Sequence, residues 1–177
     1  RITVSTAGVV PGIRWLGQRP RRPKLALSLN APDQERRARI MPIASRFPLD
    51  ELMAEIRRFP LERGRRITFE YVLIAGFNDA AEDARAVAQL IRGIPSKVNV
   101  IPLNEDVEHF PELRRPRAEV VDRFATALRD SGLTVTVRWS KGLDVAAACG
   151  QLKGLSRRSS TTPAAEDVED GCDTAAT

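Results

Sequence analysis

Lys24-Leu25-Ala26-Leu27-Ser28-Leu29 runs directly into Asn30-Ala31-Pro32-Asp33. A short, continuous and mostly apolar run of this kind is the pattern of a parallel strand buried on both faces. Pro32 halts the strand, and Asp33 is placed to N-cap a helix over Gln34 to Ile40. Period-two geometry puts Ser28 and Asn30 on one face of that strand. Polar groups at the C-terminal end of a parallel strand are where α/β barrels place ligands, although a serine satisfied inside the core fits the same pattern.

The sequence on either side repeats the alternation. Upstream, Ile2-Thr3-Val4-Ser5 reads as the end of a strand running into Thr6-Ala7-Gly8-Val9-Val10-Pro11, and small residues there suit a backbone that approaches a ligand or simply turns. Downstream, Leu49, Leu52, Met53, Ile56 and Phe59 recur at helical spacing, with Asp50 and Glu51 early and Arg57 and Arg58 late, as the helix dipole favours. Ile67 to Ile74 is a strong strand. Glu70 within it is awkward for a core, and its expected place is a polar barrel mouth. Asn78 or Asp79 is expected to cap a helix over Ala80 to Ile91. The strand Val98 to Asn104, the helix Ala118 to Leu128 and the strand Leu133 to Arg138 follow. Five strands and four helices in alternation predict an α/β fold with parallel strands, too few to close an eight-stranded barrel. They fit the later part of an open or partial barrel whose earlier strands lie upstream.

The chain has 177 residues, 42% of them hydrophobic, which is enough for one core, and no apolar run approaches membrane-spanning length. Two cysteines offer no disulfide framework, and with no signal peptide the expected location is the cytoplasm. Net charge is +5 and unevenly spread: Arg1 to Arg66 holds 15 Arg/Lys against 6 Asp/Glu, while Ser159 to Thr177 holds five acids and no base. A basic body fits a phosphate-backbone partner or a plain solvated surface. The basic loops Gln18 to Lys24 and Arg63 to Arg66 are too charged and turn-rich to be core, and both lead into the N-terminal ends of strands. Residues 156–177 turn to Ser, Thr, Ala, Asp and Glu without periodicity and are expected to be a disordered tail, with Cys172 a bystander in it.

Cys149 is the only cysteine before that tail, in the small apolar run Val145 to Leu152 after the turn-like Lys141-Gly142-Leu143-Asp144. A lone cysteine among alanines reads as a small buried hydrophobe. The functional reading needs a thiolate at a helix start or loop, and Gly150 beside it permits close approach by a substrate. Composition does not decide between them.

The run Arg138 to Leu152, ending Ala147-Ala148-Cys149-Gly150-Gln151-Leu152, resembles the C-terminal signature of the radical S-adenosylmethionine (SAM) enzymes that methylate an adenine of 23S ribosomal RNA. The resemblance extends over roughly Ile2 to Leu155. Val4 to Pro11 is similar to that family's V-S-T-S-G-V-V-P, Ala26 to Pro32 to its A-x-S-L-H-A-P, Met41-Pro42-Ile43 to its M-P-I, and Val98 to Asn104 to its I-N-L-I-P-x-N. The motifs occur in the family's order and at its spacing. The fold then implied is the later part of a partial (β/α) radical-SAM barrel over residues 1–155.

By this resemblance Ser5, Ser28, Leu29, Asn30 and Asn104 match positions that bind SAM, and Cys149 matches a cysteine that becomes methylated. The implied chemistry has two stages. One SAM methylates Cys149. A second is cleaved reductively at a 4Fe-4S cluster, and the resulting radical takes hydrogen from the S-methyl group, whose carbon adds to carbon 2 of the adenine. Implied partners are 23S rRNA, tRNA and an electron donor such as flavodoxin, for a monomer with no membrane contact. Two departures stand out: Asn30 occupies the place of the family's usual His, and Glu105 that of a Pro. The motif C-x-x-x-C-x-x-C, the cluster's ligand set, is absent from the sequence, so no metal ligand is assigned in it and the chain alone is expected to be inactive. The related carbon-8 methyltransferases share the A-C-G-Q-L run, and a non-catalytic RNA-binding remnant is the alternative of another class. Replacing Ser28, Asn30 or Asn104 by Ala is expected to weaken SAM binding with the fold intact.

Overall fold

The computed structural model describes residues 2–139; Cys149, Cys172 and the tail 156–177 lie outside the described residues. The strands are β1 Thr3–Thr6, β2 Lys24–Ser28, β3 Ile67–Leu73, β4 Ser96–Pro102 and β5 Thr134–Val137. They form one parallel sheet in the order β1-β2-β3-β4-β5. The helices are α1 Val10–Gly17, α2 Gln34–Ile40, α3 Ile43–Arg46, α4 Leu49–Arg58, α5 Ala81–Leu90 and α6 Ala118–Asp130. Parallel neighbours need crossovers, crossovers share one hand, and strands joined in simple succession therefore carry their helices on one side. This is the arrangement of a partial barrel wall, as expected. Among the described residues no helix is long and apolar enough to cross a membrane.

The two faces of the sheet differ in chemistry. On the helix side, Leu25, Leu27, Ile67, Phe69, Tyr71, Leu73, Val98 and Val100 join Val10, Ile13, Leu52, Met53, Ile56, Val87, Phe124 and Leu128 in one core. Phe69 and Leu52 are fully buried, and a truncation such as Phe69→Ala would cost about 3–5 kcal/mol. Tyr71 stacks on Phe124 of α6 with ring centroids 5.2 Å apart. The other face is polar. Cα partners share a face, so Ser5, Ala26, Thr68, Lys97 and Thr134 form one row across it, and Ser28, Glu70, Asn99 and Thr136 the next. Burial on both faces of β2 holds for Leu25, Ala26 and Leu27, whereas Lys24 is exposed and Ser28 half-buried.

Two helices go beyond the expected four. α1 begins without a side-chain cap, and Pro11 falls in its first turn, where the missing N–H is no loss. Its burial of Val10 and Ile13 against α4 outweighs two glycines that discourage a helix. α3 is a single turn that buries Ala44.

Candidate functional site

The C-terminal ends of β1 and β2 are held by hydrogen bonds that leave the polar face open. Asp33 caps α2 as expected, accepting from the Arg36 N–H at 2.8 Å. The cap aims the helix so that Arg37 passes under the sheet edge, fully buried. Its Nε donates to the Leu29 carbonyl at 3.2 Å, and its Nη2 donates to the Ala7 carbonyl at 2.6 Å and the Ser28 carbonyl at 3.4 Å. Burial lowers the pKa of this guanidinium, and no carboxylate pairs with it among the described residues.

On the β3 side the tie is made by amides. Asn30 has φ 59°, in the left-handed region where Asn is at home. Its Oδ1 accepts from the Val72 N–H at 3.0 Å, and its Nδ2 donates to Met41 Sδ at 3.3 Å. Asn78, fully buried, donates from Nδ2 to the carbonyls of Asn30 and Val72, both at 2.8 Å, and accepts from the Ile74 N–H at 2.7 Å. The Tyr71 hydroxyl donates to the Asn78 carbonyl at 3.0 Å, and burial raises its pKa well above the usual value. Asn78 is thus a bridge between strand ends rather than the expected cap of α5. Asp79 instead accepts from the Gly76 N–H, and the Ala80 N–H at the start of α5 donates to Asp83.

The side chains singled out in the sequence are distributed over this frame. Ser5, exposed on β1, donates from Oγ to Glu70 Oε2 at 3.0 Å, reaching across β2. Glu70, half-buried on β3, does face the polar side, as its awkwardness in a core implies. Ser28 is the register partner of Glu70. The Leu29 side chain lies in the core. Its N–H donates to the Glu70 carbonyl, and its carbonyl accepts from Arg37 and the Ala31 N–H, so its backbone polar groups are engaged within the protein. Asn104, half-buried, lies two residues past the end of β4. Three strands, β1, β2 and β4, therefore contribute polar residues at or near their C-terminal ends, with Glu70 of β3 between them. Asn78 enters a reading of the sequence only as a helix cap, and Arg37 escapes it. The only signal was that α2 carries just Ala38 and Ile40 as apolar residues, so a charged side chain had to face the sheet.

The polar face opens into a groove of about 1140 Å³ lined by Ala26, Thr68, Glu70, Lys97, Asn99 and Arg138, with Arg21, Arg22, Arg63, Arg65 and Arg66 at the end where the strands begin. That is room for a nucleoside-sized ligand. The two basic loops touch, since Arg65 Nη1 donates to the Arg22 carbonyl at 2.9 Å. Among the described residues no cluster of His, Cys, Asp and Glu could hold a metal ion.

No protein-family model matches the chain. Individual relatives do. The chain is 47% identical over 169 residues to the dual-specificity RNA methyltransferase RlmN of Syntrophotalea carbinolica, covering 96% of this chain and 44% of that protein. It is 51% identical over 153 residues to the RlmN of Anaeromyxobacter dehalogenans, covering 85% and 40%. The chain belongs to the RlmN family. A crystal structure of a radical SAM methyltransferase from Sphaerobacter thermophilus superposes with a TM-score of 0.79 at 48% identity, over 85% of this chain and 44% of that one. A domain of the pyruvate-formate lyase-activating enzyme from Bacteroides vulgatus, at 16% identity and TM-score 0.59, shares the fold alone. The chain spans less than half the length of the RlmN relatives it matches. Hydroxyls, a carboxylate and amides at the strand ends suit the ribose and amino-acid groups of SAM. A 4Fe-4S cluster is a different matter: the two cysteines of this sequence cannot supply a three-cysteine ligand set, so this chain by itself does not fit the cluster.

Proposed function

We propose that the RlmN-type protein to which these residues belong is a radical SAM methyltransferase that methylates carbon 2 of an adenine in 23S rRNA, and an adenine of tRNA, through an S-methylcysteine at Cys149. The observation that carries this reading is the polar strand-end set, Ser5 with Glu70 and Ser28 with Asn30, on a chain 47% identical to a protein named as a dual-specificity RNA methyltransferase. In this reading Ser5, Ser28, Asn30 and Asn104 hold SAM over the polar face, with the main chain at Leu29 packed beside it. The Cys149 thiolate attacks the methyl carbon of SAM. The S–CH3 bond of the sulfonium breaks, and S-adenosylhomocysteine leaves with the electron pair.

Carbon 2 of adenine is an electrophilic amidine carbon and a poor target for ordinary methyl transfer, which is why a radical route through a second SAM is needed. The cluster and the electron donor that such a route requires are supplied by parts of the protein and partners beyond this chain. The product decides the reading. Full-length protein, SAM and a 23S rRNA fragment should yield 2-methyladenosine on nucleoside digestion and mass spectrometry. A product carrying the methyl on carbon 8, or no methylated adenine, would overturn it.

A further inference from the structure

An arginine with no exposed surface is costly unless its donors are used, and here the acceptors are all main-chain carbonyls. Ala7 lies in the turn after β1, while Ser28 and Leu29 end β2. The Leu29 carbonyl also accepts from the Ala31 N–H, and one planar guanidinium collects all three carbonyls. Close packing fixes it there. Gly8 has φ 110°, and a Cβ on it would stand 2.9 Å from Leu52 Cδ2 and 3.0 Å from Arg37 Nη2, so the turn after β1 lies directly on the arginine. Nη1 finds no partner among the described residues, so the guanidinium is held by the carbonyl side alone.

We propose that Arg37 is the positioning residue of this site: by binding the Ala7, Ser28 and Leu29 carbonyls together it sets the spacing between the β1 turn and the β2 end, and with it the positions of Ser5, Ser28 and Asn30 toward their ligand. The inference rests on the reading of those residues as a SAM site. Lysine keeps the charge but is a point donor and cannot span carbonyls of two strands at once. The effect is therefore on ligand geometry rather than on charge.

The test is SAM binding by the full-length protein, measured by equilibrium dialysis with labelled SAM, beside thermal unfolding. Arg37→Lys should fold and bind SAM about tenfold more weakly, the loss expected when hydrogen bonds of a charged donor are disturbed. Gly8→Ala keeps the arginine but strains the φ 110° turn and presses on Leu52 and the Arg37 Nη2. It should show the same loss, and it carries the test if Arg37→Lys does not fold. Phe124→Leu, in the core on α6, should lower Tm with SAM affinity within about twofold of wild type, separating plain destabilisation from positioning. If the folded Arg37→Lys or Gly8→Ala protein bound SAM as wild type does while Ser5→Ala and Ser28→Ala bound it weakly, the positioning role would be wrong and the site reading would stand. If Ser5→Ala and Ser28→Ala also bound SAM normally, the site reading itself would fall.

Discussion

Ser5 Oγ lies 3.0 Å from Glu70 Oε2, so a hydrogen bond on the polar face joins β1 to β3 across β2. Among the described residues it is the contact that ties a strand-end serine to another polar side chain of the groove. It gives Glu70 a role that a strand of apolar neighbours does not suggest.

Breaking that bond should separate binding from stability. Ser5 is exposed and Glu70 only half-buried, so Glu70→Ala should cost no more than about 1 kcal/mol of stability. Glu70→Gln keeps an acceptor and should cost less. Both should weaken SAM binding by the full-length protein, Ala more than Gln. Calorimetric titration with SAM checks the order, and equal affinity in all three proteins would remove Glu70 from the site.

Asn30→Ala should destabilise the fold, where the sequence leads one to expect no effect on it. It strips the acceptor from the Val72 N–H and puts a residue without a side-chain amide at φ 59°. The stranded donor costs about 1–3 kcal/mol and the left-handed backbone about another 1. Ser28→Ala removes only a half-buried hydroxyl for which no partner is found among the described residues, and should cost well under half as much. Urea unfolding of the two variants side by side measures the difference.

Much of the architecture was legible because period and punctuation agree. Ile67 to Ile74, Ala80 to Ile91 and Ala118 to Leu128 each carry one clear periodicity, and their elements fall within a few residues of expectation. α1 was not legible, since Val9, Val10, Pro11, Gly12 and Gly17 argue locally for a turn and only tertiary burial of Val10 and Ile13 makes it a helix. At the site, the strand-end positions of Ser28, Asn30 and Asn104 follow from where each strand must stop. Arg37 was hidden because arginine in Gln34-Glu35-Arg36-Arg37-Ala38-Arg39 looks like a solvated face, and three carbonyls at and just past the ends of β1 and β2 are what draw it inside. Asn78 was misread for a similar reason: its partners, Asn30 and Val72, come from long range and from the strand before it.

Acid should loosen the start of α2. For Asp33, partial burial raises the carboxyl pKa, but the Arg36 N–H and guanidinium outweigh it, and the net shift is downward. A folded pKa below the unfolded one means the stabilisation is present above the usual carboxylate range and is lost as pH falls through the lowered value. Asp33→Asn keeps the cap while removing the titration, so its stability should fall less steeply than wild type below about pH 4. Parallel acid curves for the two proteins would contradict this.

The basic loops test the RNA reading from the far end of the strands. Arg21 and Arg63 line the groove entrance with no ion pair among the described residues, whereas Arg22 donates to the Arg19 carbonyl and Arg65 to the Arg22 carbonyl and Glu62. Replacing Arg21 and Arg63 by Ser should flatten the slope of log affinity against log salt for RNA by about 0.7–0.9 per lost phosphate contact. The reaction at saturating RNA should be spared, since phosphate contacts position the substrate without reading it. An unchanged slope would make this charge a solvated surface.

Cys149 carries the central claim. In full-length protein purified from a SAM-replete host, the peptide containing Cys149 should gain the mass of one methyl group, lose it on a single turnover with 23S rRNA, and regain it with fresh SAM. Cys149→Ala should abolish both the mass gain and the methylation of RNA. An unmodified Cys149 peptide together with full methyl transfer by Cys149→Ala would contradict the account.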